Sequence, residues 1–242
     1  MESYFLFTLL ALVAEIIGTV SGFGSSILFV PLAALFYDFK SVLAITAVFH
    51  VFSNLSKIFL FRDGIDKHIA LKLGIPAVAL VIVGGWLTAY LPVKPLQLLM
   101  SGALIGLSLY LLRHFNRKLR QTNLNLYLGG AASGFLAGLT GTGGAVRGIT
   151  MAAFNLPKNI FIATSALIDL GVDSSRAVIY ISNGYFQKQY LVLLPALIII
   201  SLVGSYLGKL ILRYTSETVF RYLVLSLVIG VSIYQFFQIT LK

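Results

Sequence analysis

Long apolar stretches recur along the whole chain, separated by short polar connections. Each is about 20 residues long, and a helix of that length crosses the roughly 30 Å of hydrocarbon in a bilayer. The stretches cover residues 43–61, 69–91, 96–112, 160–181, 191–212 and 219–239. Because a chain inside lipid must satisfy its own backbone hydrogen bonds, this pattern predicts transmembrane helices. We therefore expect an all-α polytopic membrane protein.

Two glycine-rich breaks interrupt this apolar pattern, one in each half of the chain. They read "GTVSGFGSS" from Gly18 and "GLTGTGGAV" from Gly138. Glycine destabilises a helix interior by about 1 kcal/mol relative to alanine. Irregular backbone at membrane depth is tolerated only where it is buried in protein or lines a water-filled cavity. The pattern predicts a broken, hairpin-like segment in each half.

The chain also repeats itself at an offset of about 119 residues, which indicates two homologous halves. Ser21-Gly22-Phe23-Gly24 falls on Thr140-Gly141-Thr142-Gly143, and the polar residues that follow keep the same order. We assign a first transmembrane repeat to residues 1–113 and a second to residues 125–242. Residues 114–124 form a basic linker between them, which we place in the cytoplasm by the positive-inside rule. Each repeat would hold one broken segment and three transmembrane helices.

The path of residues 4–37 decides how the two repeats are related. If the glycine break makes this segment a hairpin, each half crosses the membrane an odd number of times and the repeats are inverted. If the segment crosses once, the repeats are parallel. The hairpin collects most lysines and arginines on the linker side, so the positive-inside rule favours inverted repeats.

Composition excludes several other classes of protein. Hydrophobic residues make up 58% of the chain and charged residues 11%, too few charges for an ordinary soluble domain. The net charge of +10 is explained by basic membrane loops rather than by nucleic-acid binding. Cysteine is absent and the three histidines are scattered, so no metal site or other cofactor is predicted. The second break lacks the Gly-Lys-Ser/Thr ending of a phosphate-binding loop, which argues against an ATP-driven pump.

The two breaks, the following "NLPKNIFIATSAL" and the later "SNGYF" resemble the TauE/SafE family of sulfite and organosulfonate exporters, also called the toluene sulfonate uptake permease family. The resemblance covers nearly the whole chain, and the second half carries the clearer motif. Ser25-Ser26 stands in place of the glycine that follows the first break, and Thr150 stands where a proline is expected. The resemblance implies a secondary transporter of small, commonly sulfur-containing anions with no tightly bound cofactor.

Each glycine break is a candidate anion site. A helix that restarts after a break directs free N–H groups and the positive end of its dipole toward the cavity. Arg147 follows the second break within one turn and would add a fixed positive charge. The predicted substrate-binding residues of the breaks are Gly22, Gly24, Gly141, Gly143, Gly144 and Arg147. For Gly134 and Gly138 the four-residue spacing indicates close helix packing instead.

Two matching polar stripes follow the breaks. One consists of Thr46, His50, Asn54 and Lys57, and the other of Ser165, Asp169, Asp173 and Arg176. Their spacing places each set on one helix face. We assign substrate contacts to Asn54, Lys57 and Arg176. The candidates for carrying a coupling proton are His50, Asp169, Asp173 and Glu15.

Structural roles remain open for several of the same residues. Lys57 and Arg176 lie near helix ends, so their side chains could instead extend to the membrane surface. Asp173 and Arg176 could neutralise each other across one helical turn. Glu15 could pair with Arg147 or Arg176.

The favoured function is secondary transport of a small anion, namely sulfite, a sulfonate or a related organic anion, by alternating access at the interface of the repeats, with protons as the candidate coupling ion. The alternative is a passive anion channel. An intramembrane enzyme is disfavoured because no nucleophile–base pair or metal set is legible. The expected partners are the anionic substrate and the lipid bilayer of the cell membrane, without nucleic acid, and a homo-oligomer is compatible with the sequence.

Overall fold

A computed structural model describes residues 2–62, 64–113, 120–214 and 217–241, and all regular structure in these ranges is helical. The helices of the first half are α1 (Glu2–Ser21), α2 (Ser26–Ala33), α3 (Phe39–Leu60), α4 (Lys67–Leu87) and α5 (Val93–Arg113). Those of the second half are α6 (Asn123–Thr140), α7 (Gly144–Ala152), α8 (Lys158–Ser182), the 3₁₀ helix Lys188–Leu193, α9 (Leu194–Tyr214) and α10 (Glu217–Thr240). Residues 114–119 of the predicted linker lie outside the described residues. The all-α expectation is confirmed.

Five helices in the described ranges are long and apolar enough to cross a membrane. They are Tyr4–Ser21, Phe39–Leu60, Lys67–Leu87, Val93–Arg113 and Lys188–Tyr214. Helix α8 has 25 residues but is not among them, because Asp169, Asp173 and Arg176 lie in its middle. The chain is therefore a polytopic membrane protein whose most polar helix packs inside the bundle.

The first glycine break folds α1 and α2 into a hairpin. Gly22 and Gly24 have φ angles of 71° and 83°, which glycine adopts without strain. The ring of Phe7 in α1 lies 5.5 Å from that of Phe29 in α2 and 5.1 Å from that of Tyr37 beyond it. Helix α2 thus returns along α1, and its eight residues are too short to cross the membrane.

The second break folds α6 and α7 in the same way. Gly141 ends α6 with a φ of 76°, and α7 begins at Gly144. Near the open end of this hairpin, Gln121 donates a hydrogen bond of 2.9 Å to the carbonyl of Ala153. Both predicted breaks are therefore tight reversals of the chain.

The two hairpins enter the bundle from opposite ends. The end of the first hairpin lies beside the α8–α9 connection, where the rings of Tyr37 and Tyr190 are 5.5 Å apart. The start of α6 lies beside the α3–α4 connection instead, where His68 Nε2 and Asn123 Oδ1 are 3.0 Å apart. The tips of the hairpins consequently point toward each other.

Helices α3 and α8 cross the centre of the bundle in antiparallel directions. Phe61, just past the end of α3, packs with Ile162 near the start of α8. At the opposite ends, the ammonium of Lys40 lies 5.2 Å from the centre of the Tyr185 ring. This arrangement aligns the two polar stripes against each other.

Small residues bring α6 close to α4. A Cβ on Gly130, Gly134 or Gly138 would overlap the backbone carbonyl of Leu73, Ala77 or Val81, respectively. Each step of four residues along α6 matches a step of four residues along α4 in the same direction. The two helices therefore run parallel, with their backbones in contact. The packing interpretation of Gly134 and Gly138 is confirmed.

We expect Gly134→Ala to destabilise the fold because its methyl group would meet the backbone of α4. Overpacking of this kind costs about 1–3 kcal/mol. Gly102→Ala in α5 is the matched control, since nothing lies within 4 Å of its Cβ. Thermal unfolding in detergent should show a lower midpoint for Gly134→Ala and an unchanged or higher one for Gly102→Ala. Equal midpoints would contradict the close α4–α6 contact.

Candidate functional site

The tips of the two hairpins touch in the interior of the bundle. A Cβ on Gly144, the first residue of α7, would overlap the carbonyl oxygen of Phe23 in the other tip. A Cβ on Gly24 would lie 3.5 Å from Nη2 of Arg147 and 3.9 Å from Oδ2 of Asp169. Gly144 is needed because two backbones meet there, and Gly24 is needed because its φ of 83° is a conformation that other residues rarely adopt.

A small polar cavity lies at this contact. Eleven of the thirteen predicted site residues line it: Gly24, His50, Asn54, Lys57, Gly141, Gly143, Gly144, Arg147, Asp169, Asp173 and Arg176. Its free volume of about 20 Å³ is the room of about one water molecule. A second cavity of about 20 Å³ lies beside it and includes Gly22 in its lining. The structure therefore holds the site in a closed form.

Arg176 is fixed by three partners. Its Nε donates to Asp173 Oδ1 at 2.7 Å, and its Nη1 donates to the carbonyl of Gly141 at 3.0 Å. Its Nη2 lies 3.4 Å from Nδ1 of His50. Asp173 also accepts a hydrogen bond of 2.7 Å from Asn54. The predicted neutralisation of Asp173 by Arg176 is confirmed, and Arg176 does not reach the membrane surface, being only 1% exposed.

Arg147 is held by fewer contacts. Its Nε donates to Ser165 at 3.0 Å, and its Nη1 forms an ion pair with Asp169 Oδ1. The Asp169 side chain is 16% exposed, more than that of any other charged partner in these pairs. Arg147 therefore faces the cavity with a single carboxylate as counter-ion.

Glu15 is the centre of a third buried cluster. Its carboxylate accepts hydrogen bonds from Ser25 at 2.7 Å, Ser53 at 2.7 Å and Ser205 at 2.8 Å. Lys57 Nζ lies 2.8 Å from Oε1 of the same carboxylate. The cluster joins α1, the first hairpin tip, α3 and α9.

This cluster corrects two predictions made from the sequence. The partner of Glu15 is Lys57, not Arg147 or Arg176. The Lys57 side chain is 7% exposed and does not extend to the membrane surface. Glu15 lies on α1 and is buried against α9, so its carboxylate supplies a fixed counter-charge for Lys57 inside the bundle.

Comparison with known proteins identifies the family. The family model described as "Sulfite exporter TauE/SafE" matches residues 7–235, nearly the whole chain. The chain belongs to the TauE/SafE family. Neither the curated proteins nor the solved structures gave a match. The resemblance carried by the sequence motifs is thus confirmed.

TauE/SafE is a family of membrane transporters of the sulfite and sulfonate exporter type, not of enzymes. This TauE/SafE chain is accordingly a multi-pass membrane protein that handles a small anionic substrate within the bilayer. Within the described residues, no cluster of three or more His, Asp or Glu side chains could hold a metal ion.

Formal charges balance in the closed site of this TauE/SafE protein. The described ion pairs are Glu15 with Lys57, Asp169 with Arg147 and Asp173 with Arg176. Buried charges in such pairs compensate the loss of hydration that each would suffer alone.

Sequence reasoning missed the three serines around Glu15. Ser25 had a visible signal, because it stands where the family pattern has glycine after the first break. Ser53 lies one residue before Asn54 of the stripe, and Ser205 had no signal at all. Only the packing of α1 on α9 brings Ser205 to Glu15.

Proposed function

We propose that this protein is a secondary transporter that binds a small sulfur oxyanion, such as sulfite or a short sulfonate, at Arg147 between the hairpin tips. The observation that carries the proposal is the buried guanidinium of Arg147, which lines a small polar cavity in the first turn of α7. A guanidinium presents paired N–H donors that match the oxygens of such an anion. The dipole of α7 adds positive potential at the same place.

Arg147 is a better substrate ligand than Arg176. Arg176 donates to a carboxylate and to a backbone carbonyl, and its carboxylate is held further by Asn54. Releasing it would leave several buried groups unsatisfied. Releasing Arg147 breaks one carboxylate contact and one serine contact. Arg176 then stays bound to Asp173 and Gly141 and lines the cavity as a structural residue.

The cavity lining favours a compact and polar substrate. Among the residues that line it, apart from the glycines, only Ala137 and Val172 lack a polar or charged side chain. An aromatic sulfonate would place its ring against charged groups, which is unfavourable. We therefore place sulfite and short-chain sulfonates ahead of aryl sulfonates.

Competition for Arg147 provides a route to proton coupling. Ionised Asp169 and the anion both need the same guanidinium. A proton on Asp169 removes its charge, so the anion can take over Arg147 without leaving an unpaired carboxylate. Proton and anion would then occupy the site together, and acid would favour anion binding.

The repeat architecture supports alternating access. Asn54 and Asp173 are 119 residues apart, which is the repeat offset, and they bond to each other at 2.7 Å. Equivalent residues meet in this way near a two-fold axis. Because the equivalent helices α3 and α8 run antiparallel, we infer inverted repeats that rock around the central site.

The distribution of basic residues supports a cytoplasmic linker. The end of the bundle where α6 begins also carries Arg62, Lys67, Lys158, Lys209 and Arg213. The opposite end carries Lys40, Lys94 and Lys188. By the positive-inside rule the first end faces the cytoplasm of a cell membrane.

Asp169→Asn tests the proposed carrier. Asparagine is permanently neutral, so we expect sulfite exchange between two sulfite pools to persist while stimulation by a pH gradient is lost. Purified protein in proteoliposomes would be assayed for sulfite counterflow and for gradient-driven sulfite uptake. Asp38→Asn is the matched control, because Asp38 caps α3 through its side chain and asparagine caps equally well.

Three other results of these flux measurements would contradict parts of the proposal. Sulfite flux through wild type that does not saturate and ignores the pH gradient would favour a passive anion channel. Coupled transport that survives in Asp169→Asn would remove Asp169 from the coupling step. Absence of any sulfite or sulfonate flux through folded wild type would refute the substrate assignment.

A further inference from the structure

A series of buried polar groups leads from the Glu15 cluster toward the Asp173–Arg176 pair. Ser25 Oγ lies 2.7 Å from Glu15 Oε2 and 2.9 Å from His50 Nε2. On the other side of the imidazole, His50 Nδ1 lies 3.9 Å from Asp173 Oδ2. Glu15, Ser25, His50 and Asp173 are each at most 5% exposed. These buried groups therefore extend from the first half of the protein to the second, with one separation, between His50 Nδ1 and Asp173 Oδ2, that exceeds a hydrogen bond.

Hydrogen bonding determines which atoms carry protons in the closed form. An ionised Glu15 can only accept, so the single hydroxyl proton of Ser25 points to it. Ser25 Oγ is then an acceptor toward His50, which requires a proton on Nε2. Nδ1 is left with its lone pair, which faces Arg176 Nη2 at 3.4 Å. The ring is thus neutral and oriented from both sides.

We propose that Ser25 and His50 form a proton relay between the carboxylates of Glu15 and Asp173. This inference rests on the proposed proton-coupled transport and names the groups that move the proton. Neither Arg147, which binds the anion in that proposal, nor Asp169, which competes with the anion for Arg147, belongs to the relay.

One proton passes along the relay in three linked transfers. Glu15 in its protonated form gives its proton to Ser25 Oγ, while the hydroxyl proton of Ser25 passes to His50 Nε2. The transfer starts from the other tautomer of the neutral ring, with its proton on Nδ1 and none on Nε2, and the imidazole gives that Nδ1 proton to Asp173 Oδ2. The net result is one proton moved from Glu15 to Asp173, and Ser25 and the ring end with the protons that they carry in the closed form. The last step requires a movement of the ring that closes the 3.9 Å between Nδ1 and Oδ2.

The charges around His50 favour a mobile proton over a fixed imidazolium. The groups that face the ring from α8 are Asp173 and Arg176, and Glu15 of α1 acts through Ser25. Lys57 lies on its own helix and Arg147 on α7, both lining the same cavity. Three cations oppose a lasting positive charge on the ring, while the two carboxylates at the ends of the chain accept the proton. Asp173 lies one helical turn from Asp169, and both line the cavity that has room for a connecting water.

Ser25→Ala tests the relay against a matched control. Ser25 is the N-cap residue of α2 but makes no side-chain capping bond, so alanine removes the relay hydroxyl without removing a cap. Ser205→Ala also deletes one hydroxyl that bonds to Glu15, yet Ser205 does not contact His50. The assay compares gradient-driven sulfite uptake with sulfite counterflow in the same proteoliposomes. A second variant, His50→Asn, retains hydrogen bonding but cannot transfer a proton between two ring nitrogens.

We expect Ser25→Ala and His50→Asn to lower the ratio of gradient-driven uptake to counterflow at least tenfold relative to wild type. Ser205→Ala should keep both activities. Gradient-driven uptake that persists in Ser25→Ala would overturn the relay, and so would an equal loss in Ser205→Ala. Absence of counterflow in wild type would instead refute the proposed transport function on which the relay rests.

Discussion

Arg147→Ala should reduce sulfite counterflow by about 100-fold or more, and Arg147→Lys by about tenfold. Each hydrogen bond to a charged group contributes about 1.5–3 kcal/mol, so loss of the guanidinium removes most of the anion affinity. Lysine restores the charge but lacks the planar pair of donors that a sulfur oxyanion would engage. Counterflow and the concentration of sulfite that half-saturates it are the measurements.

The Arg147→Ala result needs a control for folding, because the variant leaves Asp169 buried without its partner. Removing one member of a buried ion pair destabilises a protein by about 3–5 kcal/mol. The double variant Arg147→Ala/Asp169→Ala has no unpaired charge and should fold better, yet remain inactive. Arg62→Ala, at an exposed position beside Phe59, should transport like wild type. Transport restored in the double variant would show that Arg147 does not bind the anion.

Much of this site could be predicted from periodicity and the internal repeat. Helical spacing placed His50, Asn54 and Lys57 on one face, and the repeat offset placed Asp173 at the position equivalent to Asn54. The structure brings these residues to one cavity, with Asn54 and Asp173 in direct contact. Periodicity succeeds here because α3 and α8 are regular along their whole length.

Contacts between helices distant in sequence could not be predicted in the same way. Spacing gives the face and the approximate depth of Lys57 but not the helix that packs against it, so its pairing with Glu15 was missed. That pairing depends on α1 packing on α9, where Gly204 and Gly208 admit the side chains of Glu15 and Thr19. The length of residues 4–37 likewise fits either a hairpin or a crossing. The reversal becomes visible only in the contacts of Phe7 with Phe29 and Tyr37.

Glu15→Ala should produce the largest loss of stability among single substitutions in the Glu15 cluster. It would leave the Lys57 ammonium buried with Ser53 as its remaining described hydrogen-bond partner. The expected loss is about 3–5 kcal/mol in the free energy of unfolding. Lys57→Met should be milder, because Ser25, Ser53 and Ser205 continue to donate to the carboxylate. Thermal unfolding of purified protein in detergent gives both values.

The double variant Glu15→Ala/Lys57→Met separates charge burial from packing. It removes both charges at once, so it should be more stable than Glu15→Ala alone, since no unpaired ammonium remains in the interior. If the two single losses simply added in the double variant, the pair would contribute no coupling energy and Glu15 would act through its serines alone. Recovery of stability would instead show that the Glu15–Lys57 pair holds α1 to α3. In that case the first hairpin tip, tied to the same carboxylate through Ser25, is anchored while the second tip and Arg147 respond to the substrate.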